Sequence, residues 1–402
     1  MNLRSSIQKK LDKNIERVNR LFNRYPRTYI SLLSLFAVTG YAFVFLFPVL
    51  AIVSITHIFE ILFGSATFEW MQVLFWLSVL VFTAQISYRM FVTRPVPAVG
   101  FTMPASKIPK VYEVVERLQT HFKRPVIHKI IISADYELDI IKTPFWMLPV
   151  WSTNTLVIGL PLLICLTPNQ FEQMVARRIG QFSKQHNMIT NWLYQLNGIW
   201  QQYSYIYGKQ KNIESWFLKL FYLSYAVLYK KFSVLAARKD ELSADKYAME
   251  MYFHEEICEM ITADALCRWY LENRFWPAIE KAYSDKDKET HKPYRKLTTV
   301  IRGNLNVVTK SMLTNLMNDE VVKSANRNPT LHLRLVEIGH VEPIMKKYTG
   351  ESAADFYLGT SLNGALNLMD KLWYKNNYKK NHQIKTSKKR WISVFNRDQL
   401  RN

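Results

Sequence analysis

The sequence predicts a mostly helical α+β domain preceded by two transmembrane helices, and three observations support that fold class. Two long uncharged stretches lie near the start of the chain, a helix with clear capping residues begins at Thr167, and two β-branched runs precede that helix. Of the 402 residues, 49% are apolar and 14% are aromatic. This composition is typical of a folded chain and excludes a disordered one.

The two uncharged stretches predict a transmembrane hairpin over residues 28–90. Neither 28–59 nor 70–88 contains Asp, Glu, Lys or Arg, and a membrane helix needs about 20 apolar residues. A cleaved signal peptide would be shorter and would not be followed by a second apolar stretch. Arg89 and Arg94 follow the second span, so the positive-inside rule places both flanks in the cytoplasm. A buried core hairpin is the alternative.

Positive charge is concentrated at the two ends of the chain. The net charge is +21, of which residues 1–27 contribute +6 and residues 371–402 contribute +9. Basic tails favour membrane lipids as partners and not nucleic acid, although tails that only keep the protein soluble are the alternative. We expect an integral protein of a bacterial inner membrane with both termini and the main domain in the cytoplasm.

The main domain is expected over residues 95–370 and begins with a small α+β unit. Lys107 to Lys123 has helical periodicity. The segments His128–Ser133 and Thr155–Ile158 are rich in β-branched residues and lie between Pro-containing loops, which predicts two strands.

A helix is predicted to begin at Thr167. Thr167 can cap the free N–H groups, Pro168 suits the first helical position, and Gln170 completes a T-x-x-Q capping box. Arg178 falls within the apolar face of this helix. An unpaired buried charge is costly, so Arg178 requires an acidic partner or a functional site. The apolar face consists of Phe171, Met174, Val175, Ile179 and Phe182.

The segment 188–235 is dense in aromatic residues and follows this helix. Its polar residues, Gln201 and Gln202 among them, make a plain transmembrane helix a poor fit. We expect an insertion of two amphipathic helices that lie on the bilayer surface or pack on the domain. The sequence does not decide between membrane contact and core packing.

The motif A-R-R-I-G-Q-F at Ala176–Phe182 resembles the A-H-E-L-G-H-F of HtpX-like membrane zinc metallopeptidases, which include the type-1 CAAX prenyl proteases. In H-E-x-x-H the two histidines bind zinc and the glutamate acts as general base. Arg177, Arg178 and Gln181 occupy these three positions here. An arginine stays protonated and offers no lone pair, and an amide is a poor substitute for imidazole.

Three further segments carry the same resemblance. Ala237–Asp245 is similar to R-x-x-E-x-x-A-D, so Glu241 matches the third zinc ligand and Asp245 the supporting aspartate. A third segment is similar to H-P-x-x-x-x-R, with Arg334 matching the arginine and Asn328 replacing the histidine that assists the transition state. The fourth segment, 154–163, resembles the strand and turn before the metal helix.

The resemblance implies a gluzincin-like metallopeptidase domain from which the zinc chemistry has been lost. No catalytic residue, metal or cofactor is therefore expected. The function expected is that of a pseudoprotease that binds or regulates a membrane client or an active protease relative. Two alternatives stay open. One is an active membrane metalloendopeptidase with an unusual ligand set, and the other is a non-enzymatic scaffold that binds anionic lipids.

We predict that Arg177 and Arg178 pair with Glu241 and Asp245. The i,i+4 spacing puts both carboxylates on one helix face, and two guanidinium charges could then replace zinc as the tie between the two helices. Arginines that point to water or lipid phosphates are the alternative.

The cysteines and the remaining histidines give a weaker signal. Three cysteines are too few for a disulfide framework and are expected to be reduced. His254 and Cys258 are four residues apart and could share a metal ion, but no third ligand lies near them in the sequence. His186 has the wrong spacing to replace a lost zinc ligand, and we interpret it as structural.

Overall fold

The computed structural model describes most of the chain between residues 24 and 375. The ranges it describes are 24–64, 70–93, 100–123, 126–145, 148–183, 188–210, 214–284, 292–305, 313–314, 316–317, 329–346 and 350–375. Residues 1–23 and 376–402, which make up most of the two basic tails, and His186 lie outside these ranges.

The first two helices are long and apolar enough to cross a membrane. Helix α1 spans Pro26–Phe63 and helix α2 spans Trp70–Val92. Large apolar side chains project outward from both helices, for example Ile52 at 61% exposure and Met71 at 81%. Apolar surfaces of this kind favour contact with a membrane or another protein over contact with water. The predicted helical hairpin is therefore present.

The rest of the described chain is mostly helical with one small sheet, as predicted. Four strands form the sheet: β1 (Phe101–Thr102), β2 (Lys129–Ser133), β3 (Leu138–Phe145) and β4 (Leu148–Gly159). The helices are α3 (Pro109–Phe122), α4 (Leu160–Cys165), α5 (Pro168–Phe182), α6 (Met188–Lys209), α7 (Glu214–Ala248), α8 (His254–Tyr270), α9 (Trp276–Ser284), α10 (Pro293–Leu305), α11 (Leu331–Glu337) and α12 (Ala353–Leu358). A π-helical turn, Leu271–Phe275, joins α8 to α9, and residues 362–375 are helical.

The sheet has the strand order β1-β2-β4-β3. Strands β2 and β4 are parallel, whereas β1 and β3 lie antiparallel to their neighbours. The predicted strand at 155–158 is the end of the longer β4, and β3, which pairs with it over Leu138–Phe145, was missed. Strand β3 contains Asp139, Lys142 and Pro144, residues that are depleted in strands, and the pairing with β4 overrides that local preference.

The core of the domain surrounds α5 and the inner strands. Ile130, Ile132, Leu156 and Ile158 of the two parallel strands are fully buried in it. The helices α3, α8, α10 and α12 complete the same apolar cluster. Most of helix α5 therefore lies inside the domain, and its buried polar side chains need partners within the protein.

The aromatic segment packs against the N-terminal helical hairpin. Side chains of α6 and α7 form a second apolar core with α1 and α2, and the Phe221 ring stacks on Phe43 at 3.6 Å between centroids. Packing on the main domain was one of the two expected arrangements, whereas the structure packs the segment on the N-terminal hairpin. The predicted boundary at 235 falls inside α7, which continues to Ala248 and also carries Glu241 and Asp245.

A small residue on α1 permits the close approach of α7. Tyr225 donates its hydroxyl hydrogen to the carbonyl oxygen of Phe36 over 2.5 Å. A Cβ added at Gly40 would lie 2.7 Å from the Tyr225 hydroxyl oxygen. The Tyr225 ring is packed between other aromatic rings, including Phe221 at 4.9 Å, so it has little room to move.

Replacing Gly40 with Ala should loosen this contact. We expect Gly40→Ala to lower the free energy of unfolding by about 1–3 kcal/mol, the usual cost of overpacking. Gly198→Ala is the matched control, because Gly198 is also helical and a Cβ there meets nothing within 4 Å. That variant should be neutral or up to about 1 kcal/mol more stable, since Ala favours helix over Gly. Thermal unfolding in detergent measures both, and equal effects would contradict the proposed contact.

Candidate functional site

The candidate site is organised by α5, whose start is fixed by its sequence. The amide of Gln170 donates to the Thr167 hydroxyl oxygen at 3.3 Å, and the amide of Thr167 donates to the Gln170 side chain at 3.1 Å. The predicted capping box is thus confirmed. Arg177 and Arg178 are both buried one turn before the end of this helix, at 5% and 8% exposure.

A close approach between α5 and α7 brings the acidic partners within reach. Gly180 lies where a Cβ would come within 2.5 Å of the Tyr247 Cβ and 3.2 Å of a Phe122 ring carbon. Only a residue without a side chain allows this approach. Helix α7 therefore presents Glu241 and Asp245 directly to the arginines of α5.

The predicted pairing of arginines and carboxylates is confirmed. Arg177 donates from Nε to Asp245 Oδ1 at 2.7 Å and from Nη2 to Glu241 Oε2 at 2.8 Å. Arg178 donates from Nη1 to Glu241 Oε1 at 2.9 Å. Each oxygen of Glu241 thus accepts from a different arginine. Charge-assisted contacts of this length are the stronger class of hydrogen bond.

Arg334 extends the network to a third helix. Its Nε and Nη2 donate to the two oxygens of Asp245 at 2.9 and 2.8 Å. Its Nη1 donates to Asp264 Oδ2 at 2.7 Å, and Arg268 lies 3.5 Å from the other oxygen of Asp264. Asp245 therefore accepts one hydrogen bond from Arg177 of α5 and two from the guanidinium group of Arg334 of α11. A bidentate pair of this kind fixes the orientation of the two side chains in addition to balancing their charges.

Gln181 links the network to a further carboxylate. Its amide nitrogen donates to Asp240 Oδ2 at 2.9 Å, and its carbonyl oxygen accepts from Arg178 Nη1 at 2.6 Å. Arg178 Nε lies 3.9 Å from Asp139 of strand β3. The three residues at the degenerate motif positions are thus all engaged by acidic or amide groups.

The positive charges hold two of the buried acids in their ionised form. Burial alone would raise the pKa of Glu241, but Arg178 and Arg177 outweigh it and lower that pKa to about 2. Burial opposes ionisation of Asp264 as well, and Arg268 and Arg334 lower its pKa to about 2. Burial dominates at Asp240 and raises its pKa to about 6, despite the hydrogen bond from Gln181.

The residues at this site do not fit a zinc ion. Zinc needs lone pairs from imidazole, thiolate or carboxylate, whereas Arg177 and Arg178 are permanently charged donors. The oxygens of Glu241 and Asp245 are already bound by guanidinium groups. A dication could enter only by displacing these cations. Asn328, which the sequence resemblance matched to a transition-state histidine, lies outside the described residues.

Four members of the network were not predicted from the sequence. These are Asp139, Asp240, Asp264 and Arg268. Asp264 was detectable, because it follows Ile257 and Ile261 at helical spacing on the buried face of α8. This is the same signal that singled out Arg178. Asp139 carried no such signal, since its strand was not predicted.

No protein-family model matches the chain, and no curated protein or solved structure is significantly similar to it. The resemblance to the HtpX-like peptidases therefore rests on the four motif segments alone.

Removing one carboxylate should destabilise the folded protein, because the buried arginines then lack a counter-charge. We expect Glu241→Gln to lower the free energy of unfolding by about 3–5 kcal/mol, because it leaves two guanidinium groups without one of their counter-charges. Lys246→Met is the matched control on the same helix, since its ion pair with Glu337 is exposed and should be worth less than about 1 kcal/mol. Chemical unfolding in detergent measures the stability of both variants. If Glu241→Gln lowered the free energy of unfolding no more than Lys246→Met does, the network would not be stabilising the fold.

Asp240 should make the protein less stable as the pH rises. Its folded pKa of about 6 exceeds its ordinary value of 3.8, so the unfolded chain releases this proton first and stability falls between those pH values. Asp240→Asn retains an acceptor for Gln181 and removes the buried charge. We expect it to be more stable than the native chain at pH 7.5, by about 1–3 kcal/mol.

Most of the advantage of Asp240→Asn should be lost by pH 4, where the folded residue is protonated and the unfolded residue is close to its ordinary pKa of 3.8. Glu342→Gln, at an exposed acid, is the control and should follow the native stability at every pH. Thermal unfolding from pH 4 to 7.5 provides the comparison. A difference independent of pH would show that Asp240 is not the titrating group.

Proposed function

We propose that this chain is a membrane-anchored, catalytically inactive relative of the HtpX-like zinc metallopeptidases, and that it acts by binding. The observation that carries the proposal is the buried pairing of Arg177 and Arg178 with Glu241 and Asp245. The two arginines stand where the resembled motif has a zinc ligand and the general base. Glu241 stands where it has the third ligand.

The chemistry of these groups supports the loss of catalysis. Hydrolysis by a zinc peptidase needs a metal-bound water and a base that can accept its proton. Neither a guanidinium at position 178 nor an amide at position 181 supplies these functions. The arginines keep the neighbouring carboxylates bound and charged. The domain would keep the architecture of a peptidase, while the ion pairs at its centre would hold α5 and α7 together.

The membrane hairpin bears on the kind of partner proposed. A cytoplasmic domain joined to α1 and α2 would lie beside a bilayer, where its clients would be membrane proteins or an active protease relative. The proposed setting is a bacterial inner membrane with both termini in the cytoplasm. Regulation would then work by binding such a client and keeping it from other proteins, since the described residues of the centre are not suited to cleave it.

The test is to restore the motif and measure zinc. In the variant Arg177→His, Arg178→Glu, Gln181→His, the restored side chains and Glu241 should bind zinc, so we expect one more zinc ion per chain than in the native protein. Arg177→Met, Arg178→Met is the matched control, because it removes the same two cations without supplying ligands. It should show no gain.

Two results would contradict the proposal. One is a restored variant that folds, as judged by cooperative thermal unfolding, yet binds no additional zinc, because these positions would then not correspond to a metal site. The other is zinc-dependent peptide cleavage by the native protein that Glu241→Gln abolishes. That result would favour an active metalloendopeptidase with an unusual ligand set.

A further inference from the structure

Three potential metal ligands converge at the start of α8. One donor atom from each of His254, Cys258 and His340 lies within 4.8 Å of the other two. The Cys258 sulfur is 3.8 Å from His254 Nδ1, and the two imidazole rings meet edge to face at 5.5 Å between centroids. None of the three belongs to the arginine–carboxylate network. The arrangement therefore forms a second cluster of chemically active groups.

The third member of the cluster is brought in by a turn at the end of α11. The amide of His340 donates to the carbonyl oxygen of Leu335 at 2.9 Å, and the amide of Gly339 donates to that of Val336 at 3.0 Å. Gly339 has a φ of 81°, in the left-handed region that favours glycine. This turn reverses the chain and places the His340 imidazole against α8, 82 positions after Cys258 in the sequence.

A hydrogen bond orients His254 for metal binding. Its Nε2 lies 2.8 Å from the carbonyl oxygen of Ile338. A carbonyl oxygen only accepts, so the imidazole proton must lie on Nε2. In the neutral imidazole the Nδ1 lone pair then faces the Cys258 sulfur and accepts its thiol hydrogen, the hydrogen that a metal ion would replace. Histidines that bind metals commonly donate their other ring N–H to a carbonyl or carboxylate, which fixes the tautomer and the ring orientation.

The three side chains of the cluster differ in their exposure to solvent. Cys258 is fully buried, whereas His254 and His340 are half-buried. A metal ion could therefore enter past the imidazoles and reach the sulfur behind them, with water completing its coordination. Two imidazoles and one thiolate form a donor set that zinc prefers. The donor atoms lie within 4.8 Å of one another, so typical Zn–N and Zn–S lengths of about 2.1 and 2.3 Å require the side chains to move inward on binding.

We infer that His254, Cys258 and His340 form a zinc site. The ion would join the first turn of α8 to the turn after α11, two helices that Asp264 and Arg334 already connect. The site would thus act as a second tie on the same helix pair. This inference does not depend on the proposed function, because it concerns different residues.

The experiment is zinc and cobalt binding to the full-length, detergent-purified protein after chelation and removal of the chelator. We expect one Zn²⁺ per chain and a raised thermal unfolding temperature on adding zinc chloride. Co²⁺ in place of zinc should give a thiolate-to-cobalt charge-transfer band. His254→Gln, Cys258→Ser and His340→Gln should each weaken zinc binding by tenfold or more, and the cobalt band should be lost in Cys258→Ser.

Two control variants match the ligands in residue type. His332→Gln changes an exposed histidine of α11, and Cys267→Ser changes another buried cysteine of α8. Both should bind zinc and cobalt as the native protein does. The cluster would be only a packing contact if the native protein bound no more zinc than the triple ligand variant.

The same variants separate this site from the motif positions. Zinc held by Gln181 and Glu241, through an unusual ligand set, would persist in the triple ligand variant and give no thiolate band. That outcome would contradict both the zinc site inferred here and the proposal that the motif positions no longer bind zinc. Zinc that is lost with Cys258 supports the inference and leaves the proposed function untouched.

Discussion

Asp245 is the residue on which the packing of the domain centre depends. It has no exposed surface, yet it accepts from Arg177 of α5 and from two nitrogens of Arg334 of α11. A buried carboxylate is tolerated only when its charge and lone pairs are satisfied. The relative positions of α5, α7 and α11 are thus constrained by one side chain, and Glu241 adds the second arginine of α5 to the same arrangement.

Helix α7 connects this centre to the membrane hairpin. Its first half packs on α1 through rings such as Tyr225 and Tyr229, and its last turns carry Glu241 and Asp245. Sixteen residues separate Tyr229 from Asp245, or about 24 Å along a helix. One continuous helix therefore carries both the side chains of the second apolar core and the carboxylates of the domain centre.

A tie made of arginines differs physically from a tie made of a metal. A metal can leave its ligands, whereas the guanidinium groups are covalently part of the chain and stay charged at every physiological pH. The charges of the arginines are therefore a fixed part of the centre, whereas burial raises the pKa of Asp240 to about 6. The cluster around Cys258 differs, because its two imidazoles are only half-buried and carry no permanent charge.

The sequence by itself determined the features that depend on local order: the two apolar helices, the capping box at Thr167, and the demand that the buried Arg178 find an acid. It also brought Glu241 and Asp245 together, because an i,i+4 pair shares a face in any helix. Only the tertiary structure decided which distant groups complete each cluster. Asp264 and His340 reach their partners through helix packing and a reversing turn, and contacts between residues far apart in the chain leave no periodic signal in the sequence.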